Sequence, residues 1–580
     1  MATTPVLPLS SVDASAQHTR SISPMLRSPL AFLALLAVSV PPPHASAQGG
    51  GAPSEGLTLF HPVLSTTTYL IDISGSIVHT WPGTFRAGSS VYLLEDQSLL
   101  RATRGQPGPS GGPAGIELVA WDGTLLWRYL DPSPIVQRHH DIEILPNRNV
   151  LTIAYQIMTA ADAIQAGRNP ATIAGSSWTP DSILEIQTTG PASGDVVWEW
   201  HVMDHVIQDF DPTKDNFGVI ADHPEMIDIN FPPTLVTGGD WNHTNAIDYN
   251  AELDQIIISP RNQSELWVID HSTTTEEAAG HTGGSSGYGG DLLYRWGNPQ
   301  AYGAGTVADQ RLFGQHNTQW IDEGAPGASN ILVFNNGLDR PAGPFSSVEE
   351  IVPPVDAQGN YTLMPGAAYG PASPTWTYQA PNPTDFYSHI ISGAQRLPNG
   401  NTLIDSGTQE WFFEVTPTGD IVWEYFPSIP GLTHSRCFRA ERYQLCLPPT
   451  STCQTSPNSM GAGATMGWSG SSSHSSNDLV ISVSGAAASQ PGVFYFGDQA
   501  VQLPFGDGMR CVGGTVHRLP VQLTDPGGDA AFEVDFEDAS APTAIMEVGD
   551  TWHFQFWYRD PAFGGSGFNL SDALEITVCN

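Results

Sequence analysis

Apolar and polar residues alternate with period two along most of the chain. The alternating runs come in pairs separated by turn residues, which is the pattern of antiparallel hairpins. One hairpin type closes on aromatic residues. It appears as Y-L-I-D-I-S-G-S-I-V-H-T-W (69–81), E-L-V-A-W-D-G-T-L-L-W-R-Y (117–129), I-L-E-I-Q-T-T-G-P-A-S-G-D-V-V-W-E-W (183–200) and F-F-E-V-T-P-T-G-D-I-V-W-E-Y (412–425). L-W-V-I-D (266–270) with L-L-Y-R-W-G (292–297) is a further copy, and 347–378 holds a degenerate one. A second type sits between them: S-V-Y-L-L-E-D-Q-S-L-L-R (90–101), D-I-E-I-L-P-N-R-N-V-L-T-I-A-Y (141–155), A-I-D-Y-N-A-E-L-D-Q-I-I-I-S (246–259) and G-A-Q-R-L-P-N-G-N-T-L-I-D-S (393–406). P-N-R-N and P-N-G-N are tight turns, because Pro presets φ while Asn and Gly accept positive φ.

Two hairpins make a four-stranded sheet, and about six such sheets in series predict a six-bladed β-propeller over 57–445. Helical periodicity is scarce. Long inserts at 156–182, 202–239 and 271–290 read as rim loops able to wall a pocket. The composition turns linker-like at 446–476. Beyond it, over 477–580, N-D-L-V-I-S-V-S-G, A-F-E-V-D-F and W-H-F-Q-F-W-Y-R-D alternate again and predict a separate β-sandwich domain of unknown role. The fold class is therefore all-β.

The chain has 580 residues, long enough for two domains. Its formal net charge of −38, with a single lysine (Lys214), makes nucleic acid an unsuitable partner. It also repels small anions at long range, so an anion site needs a local cluster of Arg and His. Residues 1–47 read as an N-terminal extension plus a secretory signal peptide. Met25 is the expected start, Arg27 supplies the basic region, 29–40 the apolar stretch and Ala45-Ser46-Ala47 the cleavage site. No later stretch is apolar for long enough to span a membrane as a helix. The expected location is periplasmic or secreted. All five cysteines (437, 446, 453, 511 and 579) fall in the last quarter, and disulfides suit that compartment. The expected pairs are Cys511–Cys579 and one among the first three.

Three histidine motifs recur where inner hairpins begin: R-H-H-D-I-E-I-L-P-N (138–147), D-W-N-H-T-N-A-I-D-Y (240–249) and G-Q-H-N-T-Q-W (314–320). Equivalent strands of a propeller start at the same end of the channel, so His140 (or His139), His243 and His316 can converge on its axis. His140 is preferred over His139, because it precedes Leu145 by the same spacing that separates His316 from Ile321. Arg261, in S-P-R-N-Q-S after the hairpin that His243 opens, can reach the same mouth. Neutral imidazole is a good nucleophile near neutral pH, and imidazolium and guanidinium donate to the oxygens of a tetrahedral oxyanion. Asp240 and Asp248 read as turn residues, the W-E-W and W-E-Y aromatics as packing, and His61, His205 and His389 as rim or structural residues. The sequence has no H-E-x-x-H, Gly-rich phosphate loop or EF-hand spacing.

Taken in order, these motifs, with F-N-N-G (334–337) and the closing F-E-V-T-P-T-G-D-I-V-W-E-Y, resemble the bacterial aryl-sulfate sulfotransferases over roughly 57–430. The resemblance implies a six-bladed propeller that moves a sulfuryl group from a phenolic sulfate ester to an acceptor phenol, by a ping-pong route and without a nucleotide sulfate donor. It implies His316 as the nucleophile that becomes a transient sulfohistidine. His140, His243 and Arg261 hold the sulfuryl oxygens and stabilise the leaving phenolate, with Asn245 and His139 as further substrate-binding residues. It calls for no cofactor and no metal, and for aryl sulfates and phenols as small-molecule partners. The competing expectation is a non-catalytic secreted propeller that binds a ligand or partner and is anchored through its C-terminal domain.

Overall fold

The computed structural model describes residues 51–579 apart from 95, 105–114, 131–135, 233–235, 238, 475, 539 and 548. The leader expected over 1–47 lies outside the described residues. Six four-stranded antiparallel blades follow one another along the chain, the second and third joined into one eight-stranded sheet by a single parallel bridge between Ser89 and His140. The second blade is Arg86–Leu93, Leu99–Arg104, Gly115–Val119 and Leu125–Leu130, and the third is Val136–Ile144, Val150–Gln156, Asp181–Gly190 and Ser193–His201. The fourth runs from Thr244–Asn250 to Tyr294–Trp296, the fifth from His316–Trp320 to Trp376–Tyr378 and the sixth from Gly393–Arg396 to Ile421–Tyr425. The first blade is composite. Leu57–Pro62, Thr67–Ile71 and Ile77–Pro82 are completed on the inside by Cys437–Tyr443 from the far end of the propeller. This pairing closes the ring, so no blade presents a free edge at the junction.

Each inner strand is tied to the next by a hydrogen bond. Ser90 Oγ donates to His140 O (3.3 Å), Ile247 N to Asp141 Oδ2 (3.1 Å) and Trp320 N to Asp248 Oδ2 (2.6 Å). Ala394 N donates to Asn317 Oδ1 (2.7 Å), Arg442 N to Gln395 Oε1 (2.7 Å), and Arg439 reaches the Tyr92 hydroxyl to complete the circuit. Between neighbouring blades the faces pack as aromatic and branched aliphatic layers. Trp178, Trp198, Trp200, Trp241 and Trp267 with Ile153, Ile183 and Ile256 form the layer at the third and fourth blades. The aromatic residues that close the outer hairpins are thus core, as period-two burial requires.

After the propeller come a five-stranded and a three-stranded sheet. Phe494, Phe496, Phe554, Phe556 and Leu574 of the first pack against Ile481 and Val483 of the second, which makes a sandwich. Two expectations change here. The stretch 446–476 is not merely a linker. Thr450–Thr452 joins the five-stranded sheet and Thr465–Ser469 the three-stranded one, because these short edge strands gain their order from the partners they pair with rather than from their own composition. The cysteine pairing also differs. Cys446 bonds Cys579 and Cys453 bonds Cys511 (Cα–Cα 5.1 and 6.2 Å), while Cys437 is free and buried. Cys446 follows the closing strand and Cys579 follows the last strand of the sandwich, so the first bridge ties those two chain segments together. No helix among the described residues is long and apolar enough to cross a membrane.

Candidate active site

The inner strands of the blades begin with a local break in the ladder. Register shifts occur between Ala87 and Val91, Arg138 and Ile142, Thr244 and Ile247, and His316 and Gln319. Within three of the breaks a non-glycine residue takes positive φ, Ser89 (129°), His140 (57°) and Asn317 (48°), and His243 (51°) does so just before the strand that carries the other. A bulge adds backbone without adding a ladder partner, and it turns a side chain away from the sheet face it would otherwise occupy. Here the bulges gather histidines at one end of the channel. The His140 and His243 rings meet edge to face at 4.7 Å, and the Phe438 ring lies 5.9 Å from His140 and 6.0 Å from His316.

His316 is almost fully buried, with 2% of its surface exposed. Its Nδ1 lies 2.7 Å from Asn336 Oδ1. The Asn336 amide is oriented by its own donors, since Nδ2 gives hydrogen bonds to Ser388 O (2.6 Å) and Ile391 O (2.9 Å). Its oxygen must therefore accept, which places the ring proton on Nδ1 and leaves Nε2 unprotonated. Nε2 accepts a 3.2 Å hydrogen bond from Ile391 N. Ile391 and the next residue, Ser392, both take positive φ (52° and 89°), an unfavourable conformation for a β-branched residue. Burial, followed by the positive charge of Arg261, pushes the His316 pKa down to about 3, against the Asn336 hydrogen bond that raises it. The ring is accordingly neutral at neutral pH.

His243 is paired with a carboxylate, its Nδ1 lying 2.6 Å from Asp240 Oδ2. Burial would raise the Asp240 carboxyl. The His243 hydrogen bond and charge, with help from His139 and Tyr155, outweigh burial and hold it below the usual range. A carboxylate on Nδ1 orients the imidazole, the arrangement used by general acid–base histidines. His140 is held well below its ordinary pKa by burial first and then by the charges of His139, His243, His316 and Arg104. Its Nδ1 is 2.7 Å from that of His139. His139 itself turns the other way. It stacks on Tyr155 (3.7 Å between ring centres) and faces Asp181 at 3.3 Å. Arg261 begins the turn after Gln255–Pro260. It contacts Asn262 Oδ1 (3.3 Å), and its buried Nε has no hydrogen-bond partner among the described residues. A Cβ on Gly314, in the turn before His316, would sit 3.8 Å from that Nε.

The structure thus brings His140, His243, His316 and Arg261 to one electropositive end of the channel. Asn245 is fully buried, and its amide donates to Gln315 O at 2.7 Å, so that group joins the fourth and fifth blades. His389 is exposed, and His61 is buried against Ser65 and Thr68. Asp240, Asn336 and Phe438 were not assigned to the site from sequence. The signals available were Asp240 three residues before His243 and Asn336 within F-N-N-G, whose second Asn directly follows the strand that pairs with His316. Further along the same inner strands, a cavity of about 380 Å³ is lined by Tyr92, Glu143, Asp248, Gln319, Arg439 and Glu441. Arg396 and Arg442 line it as well, and burial raises the pKa of Glu143, Asp248 and Glu441.

A family model described as Arylsulfotransferase (ASST) matches residues 123–426, just over half of the chain. The chain belongs to the arylsulfotransferase family. The match spans His139, His140, His243, Arg261 and His316 and lies within the propeller. No curated protein matches the chain. Among solved structures, it is similar to a protein of unknown function from Bacteroides caccae, with 12% identity over 67% of this chain and 98% of that one and a TM-score of 0.36. It is also similar to virginiamycin B lyase from Staphylococcus aureus, crystallised as a catalytically inactive variant with quinupristin, with 9% identity over 67% of this chain and 90% of that one and a TM-score of 0.31.

Proposed function

We propose that this arylsulfotransferase-family protein transfers a sulfuryl group from an aryl sulfate to an acceptor phenol, with His316 as the carrier. The observation that carries this reading is the state of His316: neutral, with its proton fixed on Nδ1 by Asn336 and its Nε2 lone pair at the cationic end of the channel. In the first half-reaction Nε2 attacks sulfur and the S–O bond to the aryl group breaks. The phenolate that leaves takes a proton from His243, which Asp240 orients. The Ile391 N–H must release Nε2 for this attack, and its 3.2 Å bond is longer than the 2.7 Å contact at Nδ1. Arg261 and His140 face the sulfuryl oxygens, where charge develops. In the second half-reaction His243 accepts the proton of the incoming phenol, whose oxygen attacks sulfur. The N–S bond then breaks and His316 returns to its neutral form. The chain's own residues supply the proton and charge chemistry of both steps, and the donor must leave before the acceptor reacts.

Two disulfides suit an oxidising compartment, which supports a periplasmic or secreted location. The functional reading is tested with purified protein and a chromogenic aryl sulfate, with and without added phenol. Phenolate release that depends on phenol, and that is lost in His316→Ala while the circular dichroism spectrum is kept, is the expected result. Wild-type turnover in His316→Ala would exclude the carrier role. No release from a range of aryl sulfates would favour a propeller that binds a ligand without turning it over.

A further inference from the structure

A second polar cluster lies at the third and fourth blades, outside the histidine site. His205 ends the short turn Val202–His205 after the third blade, and Asp291 ends the insert that precedes Tyr294–Trp296. His281 lies inside that insert, after the helix Thr275–Ala278. One carboxylate oxygen serves both imidazoles: Asp291 Oδ1 is 2.9 Å from His205 Nδ1 and 2.8 Å from His281 Nδ1. One atom from each of the three residues lies within 4.8 Å of the others.

His205 is fully buried and tightly held. Its Nε2 lies 2.8 Å from Ala278 O, and Trp200 stacks on it at 5.4 Å with ring planes 5° apart. Trp200 Nε1 donates to Gly290 O at 2.7 Å. Gly290 is pressed so close that a Cβ would lie 2.0 Å from Ala278 O and 2.7 Å from His205 Nε2. A backbone carbonyl taking one ring N–H is the usual way to fix the tautomer of a metal-bound imidazole, and it leaves the other nitrogen bare for the metal. That other nitrogen is Nδ1, which here hydrogen-bonds Asp291 Oδ1 and gives up its proton when an ion takes its place. The His281 side chain is 57% exposed, which leaves a side open for a water ligand and for ion access.

We propose that His205, His281 and Asp291 bind a divalent ion of the zinc class through His205 Nδ1, His281 Nδ1 and an Asp291 oxygen, with water in the fourth position. Two imidazoles and one carboxylate suit zinc, and tetrahedral ligation spreads the donor atoms to roughly 3.3 Å apart, a small expansion of the present cluster. The ion staples the 271–290 insert onto the turn after the third blade. This role is structural and does not depend on the transfer chemistry.

The test uses the whole chain, stripped with chelator, desalted and titrated calorimetrically with zinc chloride, alongside His281→Ala and Asp291→Asn. His281 is chosen because its exposure lets it be replaced without opening the core, and cobalt(II) absorption reports the coordination number. The expected result is one zinc per chain with a Kd below about 1 μM. Both variants should weaken it by about 100-fold or more, since each removes a direct ligand. Zinc should raise the thermal midpoint of the wild type but not of His281→Ala, and should protect the 271–290 insert from proteolysis. Zinc binding that is equal in wild type and His281→Ala, or an unchanged midpoint and cleavage rate, would overturn the proposal and leave a hydrogen-bonded histidine–carboxylate cluster.

Discussion

At the residue scale, the chemistry turns on which nitrogen of His316 holds the proton, and Asn336 decides that. Replacing Asn336 by Ala removes the acceptor for Nδ1 and frees two backbone carbonyls. A lost buried hydrogen bond costs about 1–3 kcal/mol, so kcat should fall about ten- to a hundredfold with little change in KM. Asn336→Asp gives a sharper test. A carboxylate beside Nδ1 stabilises the imidazolium and raises the His316 pKa from about 3, so the acid limb of the kcat/KM profile should move to higher pH. A merely structural Asn336 would leave that limb in place. The convergence of the three histidines was legible because similar strand-start text recurs through the propeller, and Arg261 was read from the turn that closes the His243 hairpin. Asp240 was not, because D-W-N-H reads as an ordinary turn. Its pairing with His243 depends on the positive φ of His243 (51°) just before the strand, and period-two alternation carries no sign of that. Asn245 was read for its position in H-T-N, but its amide is committed to Gln315 O.

At the scale of elements, the blades are held in a ring by buried polar contacts as well as by packing. Asp141 is the most connected of these groups. It accepts from Tyr92 and from Ile247 N, and it pairs with Arg439 at 2.7 Å. Asp141→Ala leaves the buried Arg439 short of a counter-charge, and breaking such a pair costs about 3–5 kcal/mol. Urea unfolding should show a drop of that size, and a change below about 1 kcal/mol would mean that Arg439 is compensated by Glu441 alone. The hairpins were readable from alternation and turn residues. The closure by Cys437–Tyr443 was not, because a pairing between the two ends of the propeller leaves no local mark on either strand. The same holds for Thr465–Ser469, whose glycine- and serine-rich surroundings read as a linker, and for the cysteine pairs, whose connectivity depends on where distant strands end.

At the scale of the whole molecule, a formal charge of −38 surrounds a site built for an anion. Long-range repulsion slows the approach of an aryl sulfate, whereas the buried His and Arg cluster is little affected by salt. The kcat/KM for the donor should therefore rise several-fold between about 0.01 and 0.15 M ionic strength, and that for a neutral phenol should stay level. A fall with salt would show that the local cations, not the net charge, govern the approach.

The central claim is that His316 holds the sulfuryl group between donor and acceptor, and rapid mixing of enzyme with a chromogenic aryl sulfate, without phenol, tests it directly. The account predicts a burst of one phenolate per chain, and a single SO3 adduct on the peptide containing His316 that disappears when phenol is added. Phenolate release with no burst, or an adduct on any other residue, would contradict it.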